Sequence, residues 1–121
     1  MKYALLIYAT PGGAADAKSV DVVYDSWLDY TTALRESGAL LGAEQLDQVE
    51  TATTVSLRGG ERLLTDGPFM ETKEHLGGFY LIDVPDLDTA LDWAAKMPIM
   101  RYGTVEVRPV AEGGAWRAGL K

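Results

Sequence analysis

Asp66, His75 and the pair Arg101–Tyr102 are the residues whose types and placement could carry chemistry in this chain. Asp66 lies in TDGPFMETKEHLGGF, residues 65–79, directly before Gly67 and Pro68. A carboxylate at a sheet edge serves as a general base when partial burial lifts its pKa. Asp-Gly-Pro is equally a turn sequence in which the carboxylate caps a nearby backbone N–H. His75 is the only histidine; it can shuttle a proton near neutral pH. Beside Lys73 and Glu74 it also reads as an ordinary polar loop residue. Arg101 can clamp a carboxylate or phosphate through two parallel hydrogen bonds, and Tyr102 can donate another. Arg101 has a competing role, an ion pair with Asp66 or Glu71 that would fix the loop.

Around these groups, Trp27, Phe69, Glu71, Arg101 and Tyr102 form the candidate ligand-contacting set. Trp27 reads as core or as a cleft wall. Tyr8 and Tyr80 could add hydroxyls to a cleft between sheet and helices, although aromatic residues on strands are usually packing.

Several chemistries are excluded or disfavoured. The chain has no cysteine, so disulfides, thiol catalysis and thiolate metal sites are ruled out. A site made only of Asp66, Glu71 and Glu74 lacks the loop signature of a calcium or magnesium site, so neither metal nor cofactor is expected. Gly77–Gly78 leads into an apolar strand rather than a helix N-terminus, which fits close backbone approach and not a phosphate cradle. A net charge of −7 argues against nucleic acid. The apolar runs are strand-sized, which argues against a membrane span. MKYALLIYAT has no convincing cleavage site, so a first strand in a cytoplasmic protein is expected.

The elements that must position these groups follow from periodicity. Length, 121 residues, points to one domain. Residues 2–9 read as a buried strand ended by Pro11, Gly12 and Gly13. Residues 19–37 have helical spacing, with Val20, Val23, Tyr24, Trp27, Thr31 and Leu34 on one stripe. Ser19 is the expected N-cap and Gly38 the residue past the C-terminus. A strand over 39–46 should carry a bulge or close approach at Gly42. Residues 51–67 are a hairpin about Gly59–Gly60, and 77–84 another buried strand. Asp86 or Asp88 caps a second helix that Pro98 ends, and TVEVRPV, 104–110, is the last strand. Without the hairpin the order is βαββαβ, a ferredoxin-like α+β fold with both helices on one face of an antiparallel sheet. The Gly/Ala-rich tail, 111–121, is expected to be loose unless Trp116 docks.

TDGPFMETKEHLGGFYLIDV and RYGTVEVRPV resemble the YCII-related, DGPF-motif family. With MKYALLIY and TATTVSLRGG the resemblance covers residues 1–110, the expected domain. It implies a dimeric ferredoxin-like α+β barrel. It also implies a link to extracytoplasmic-function sigma factor systems and an enzymatic role based on a histidine and an aspartate. Asp66 matches the aspartate. The histidine lies on the first helix, eleven residues before its closing glycine; counting back from Gly38 gives Trp27. His75 sits where relatives commonly have glutamine, so it is no replacement.

A sheet with helices on one face leaves the other face bare. Ala4, Leu6, Tyr8, Phe79, Leu81, Val105 and Val107 are expected there, and a twofold dimer with facing sheets would cover them. Two function classes follow. One is a small-molecule-binding or accessory module, recognised by an exposed apolar patch at Phe69 and Met70. The other is an enzyme with Asp66 as acid/base and Arg101 as anion clamp, recognised by a closed pocket holding both.

Overall fold

In KYALLIYA every second side chain from Tyr3 to Ile7 is buried, the mark of a strand with one covered face, and β1 (Lys2–Ala9) is one of the two inner strands of the sheet. Tyr3, Leu5 and Ile7 point into the core, while Ala4, Leu6 and Tyr8 are half-exposed on the other face. The computed structural model describes residues 1–10 and 20–120, with side chains from 25 onward in the first helix. The N-cap expected at Ser19 and the stripe residues Val20, Val23 and Tyr24 therefore lie outside the described side chains.

After β1 come α1 (Val20–Glu36), β2 (Leu40–Gln45), β3 (Thr53–Arg58), β4 (Glu61–Asp66), β5 (His75–Asp83), α2 (Leu87–Ala95), β6 (Gly103–Pro109) and α3 (Ala115–Ala118). β2, β5, β1 and β6 form one antiparallel sheet in that order, and β3 pairs only with β4. This is the ferredoxin-like strand order with a separate hairpin inserted between β2 and β5.

The core lies between the Tyr3–Leu5–Ile7 face and the helices. Tyr30 and Leu34 of α1, Ala90 and Ala94 of α2, and Met97 and Ile99 beyond it fill this layer. The chain turns out of α1 at Gly38, two residues past its end, whose φ of 85° is open to glycine and strained for other residues. α2 starts at Asp86, whose carboxylate accepts from Thr89 N at 2.8 Å and Thr89 Oγ1 at 2.7 Å. Those two bonds hold the Asp86 pKa below its ordinary value.

Glycine matters at two crossings of the sheet, at Gly103, where a Cβ would run into the Tyr8 carbonyl oxygen and the Ile99 side chain, and at Gly78. A Cβ on Gly78 would stand 2.7 Å from the Glu44 carbonyl oxygen, so the expected close approach is present there. The expected irregularity in β2 is also present, with Leu41 as the extra residue between Leu40 and Gly42.

One expectation about the bare face is overturned. Val107 pairs with Leu5 and Val105 with Ile7, so both valines lie on the helix-covered face and pack on the core. Glu106 opposite Leu6 and Arg108 opposite Ala4 take the open face instead, joined as an ion pair. TVEVRPV alternates cleanly, but alternation fixes only which residues share a face. Which face is inward depends on register, and a one-residue slip inverts it.

His75 was expected in the loop and is the first residue of β5, opposite Ala9. The ladder runs two residues past Gly77 because a bulge between Ile7 and Tyr8 absorbs the mismatch. In the tail, α3 is a single helical turn and Trp116 is fully solvent-facing. Among the described residues no helix is long and apolar enough to cross a membrane.

Candidate functional site

Trp27 sits one turn before Tyr30 and Thr31 on α1, so all three project toward β5. There they meet Tyr80. The Trp27 and Tyr80 rings are nearly parallel, 7° apart with centroids 6.2 Å apart. Tyr30 stands edge-on to Tyr80 at 5.5 Å and 90°, and edge-on to Trp93 of α2 at 6.0 Å. Such edge-to-face pairs match the positive rim of one ring to the negative face of the next.

The polar ends of these rings are paired. Trp27 Nε1 donates to the Tyr102 hydroxyl at 3.0 Å, which ties α1 to the segment before β6. Thr31 Oγ1 and the Tyr80 hydroxyl lie 2.5 Å apart, and Tyr30 donates to the Trp93 carbonyl at 2.8 Å. Burial raises the Tyr30 pKa, and the neighbouring Tyr80 raises it further. Burial also raises that of Tyr80, partly offset by the Thr31 bond. Both phenols are therefore neutral at any physiological pH.

The cluster holds rings and hydroxyls without a charge, with Tyr30 and Tyr80 buried and Trp27 and Tyr102 half-buried at its edge. Tyr102 accepts from Trp27 and keeps its own proton to donate. Of Thr31 and Tyr80, whichever accepts also keeps a proton.

The DGPF loop is organised differently. Asp66 ends β4 opposite Thr53 and is exposed, with no side-chain bond among the described residues. The cap expected of its carboxylate is absent. Backbone and threonine close the turn instead: Gly67 N donates to the Ala52 carbonyl at 2.7 Å, and Thr54 Oγ1 donates to the Gly67 carbonyl at 2.8 Å. Gly67 adopts φ 99°, a conformation open to glycine and strained for other residues. Phe69 is 79% exposed and Met70 60%, and Glu71 is exposed beside them.

The sequence-derived set is thus split. Trp27 and Tyr102 are brought together. Arg101 is exposed and forms no ion pair with Asp66 or Glu71, because it ends the helical turn Pro98–Arg101 with its side chain in solvent. Half-buried His75 is paired through its backbone at the sheet end. Tyr8 does not join Tyr80: β1 alternation sends it to the open face with Leu6.

Sequence reasoning missed Tyr30 and Trp93. The signal for Tyr30 was its place between Trp27 and Leu34 at steps of three and four residues. Trp93 carried a signal only as an aromatic residue among the alanines of α2.

The sequence profile described as the YCII-related domain matches residues 1–113. The chain belongs to the YCII-related family. An uncharacterized protein of Rhizobium meliloti strain 1021 is 45% identical over 78 residues, a match spanning 63% of each chain. In three dimensions the chain is similar to the 5-chloro-2-hydroxyhydroquinone dehydrochlorinase TftG of Burkholderia phenoliruptrix AC1100, solved with 2,5-dihydroxybenzoquinone. That likeness has a TM-score of 0.52 at 13% identity and covers 93% of this chain and 96% of the other. At that identity it speaks for the fold.

Proposed function

We propose that this YCII-related protein is a homodimeric binding module for a small, neutral, ring-bearing molecule, serving as an accessory rather than a catalyst. One observation carries the reading. Trp27, Tyr80 and Tyr102 converge with Thr31, whereas Asp66 and Arg101 stand apart in solvent. A ring face and hydroxyl donors recognise a flat ligand by stacking and hydrogen bonding. A general base needs a substrate proton within hydrogen-bond reach and a pKa tuned by its surroundings. The exposed Phe69 and Met70 are the apolar patch expected of a recognition surface. A sigma factor system is the partner context that the family resemblance offers, and the open sheet face is the surface for a second copy.

The alternative is an acid/base enzyme using Asp66 with Arg101. The dehydrochlorinase supports it only to the extent that its fold, in that protein, holds 2,5-dihydroxybenzoquinone.

Native mass spectrometry of the purified protein, together with a panel of phenols and quinones in thermal-shift assays, tests the proposal. A ligand lost in Trp27→Ala and retained in Asp66→Asn is the expected result. Retention in Trp27→Ala with loss in Asp66→Asn would transfer the site to the loop and favour the enzyme.

A further inference from the structure

The hairpin β3–β4 has its apolar face turned outward. Its register pairs Thr53 with Asp66, Val55 with Leu64 and Leu57 with Arg62, so these six share one face; Ser56 and Leu63 lie on the other. Val55 is 62% exposed, Leu57 72% and Leu64 59%. Gly59 and Gly60, with φ 57° and 82°, close the ribbon by the tight turn that suits a right-twisted hairpin. No other element of the described chain packs extensively on it. A lone two-stranded hairpin is marginal in water, so this face needs cover. The open face of the four-stranded sheet is reserved for the sheet of a second copy in the reading above, so the cover comes from elsewhere.

The order of residues along β4 indicates what that cover is. Arg62, Leu64 and Asp66 follow one another on this face as a cation, an apolar residue and an anion. Both charges are exposed, and neither has an ionic partner among the described residues. They cannot satisfy each other, because four residues of strand hold them roughly 13 Å apart. Turned end over end, the same row reads anion, apolar residue, cation. A twofold axis in the plane of this face, crossing β4 at Leu64, therefore sets Arg62 against Asp66 twice. It also sets Val55 and Leu64 against their own copies. With the two β4 strands parallel, like charges would meet instead.

We propose that the hairpin faces of two copies of this chain pack on each other about this axis, with their β4 strands antiparallel, Val55 and Leu64 at the centre, and Asp66 of each copy on the partner's Arg62. The occupant is another copy because the face is complementary to itself in both apolarity and charge. Three apolar side chains and two charges a side are fewer than a primary interface uses, which fits a reversible association. The contact is separate from the sheet face and doubles whatever unit that face makes. Its consequence is that Asp66 of the TDGPF motif takes its cation from a second chain.

The chain lacks cysteine, so a single introduced thiol reports the contact. Leu64→Cys places two sulfurs across the axis, and Leu63→Cys, on the opposite face, is its control; both are oxidised mildly at high protein concentration. Sedimentation from micromolar to millimolar concentration follows the mass of the unmodified protein, of Arg62→Asp, and of Arg62→Asp combined with Asp66→Arg. The expected result is disulfide-linked chains in Leu64→Cys alone and a mass that doubles with concentration. Doubling should be at least about tenfold weaker in Arg62→Asp and recover in the charge swap. A mass that never doubles, or that doubles regardless of Arg62, overturns the proposal. Linkage as efficient in Leu63→Cys as in Leu64→Cys overturns it too, because random collision then explains both. The sheet dimer fails separately: a monomer at micromolar concentration that still doubles through Leu64 removes that dimer and keeps the hairpin contact.

Discussion

Tyr80 and Leu64 are both large side chains on strands, yet Tyr80 is 7% exposed and Leu64 59%. The difference lies in what surrounds the strand. Tyr80 belongs to β5, which is paired on both sides and covered by α1 and α2. Leu64 belongs to a ribbon paired only with itself. The aromatic cluster is thus fixed by the same contacts that fold the domain, and the hairpin by its own ladder. A ligand site on the cluster comes preorganised, whereas a surface on the hairpin is completed by whatever covers it.

The largest expected effect tests that division directly. Tyr80→Ala removes a ring that touches Trp27 and Tyr30, and should cost about 3–5 kcal/mol of unfolding free energy. Leu57→Ala on the hairpin should stay within about 0.5 kcal/mol when measured at concentrations where copies are apart. Urea unfolding of both variants decides it, and equal losses would erase the contrast.

Alkaline pH separates the two regions next. Tyr30 and Tyr80 have raised pKa values, so the folded chain holds protons that the unfolded chain releases above about pH 10. Stability from these rings is complete below that pH and falls as pH climbs past it. The slope is up to about 1.4 kcal/mol per pH unit for each ring. Tyr30→Phe should flatten the decline in a pH series of melting curves. An unchanged slope would mean that the cluster is open to water.

A smaller effect concerns the residue standing where the family resemblance places histidine. Trp27→Phe keeps a ring against Tyr80 but removes the donor to Tyr102, and should cost about 1 kcal/mol. A double-mutant cycle with Tyr102→Phe isolates that bond. No coupling would show that Trp27 acts through packing alone.

The fold was legible because strands, caps and turns are local. Asp86, Gly38 and Gly59–Gly60 each announce an element boundary by their own chemistry, and the element order followed from them. The site was less so. Trp27 and Tyr102 are 75 residues apart, and only the packing of α1 against the segment before β6 joins them. The faces of Val105 and Val107 depended on a register that alternation leaves open. Asp66 and Arg101 had the right types for a charge pair. Nothing local determines whether a strand end and a helical turn meet.

Asp66→Asn should have the least effect, and it bears most directly on the family's motif. The carboxylate has no partner among the described residues, and the turn after it is held by Gly67 N, Ala52 O and the Thr54 hydroxyl. Removing its charge should therefore shift unfolding free energy by no more than about 0.5 kcal/mol in urea unfolding at concentrations where copies are apart. A loss above about 1 kcal/mol would reveal a partner held by the folded carboxylate and move Asp66 into the fold's support. A neutral result has the opposite meaning. The chain would then keep, at a position where its own turn needs no carboxylate, an acid directed at something outside itself.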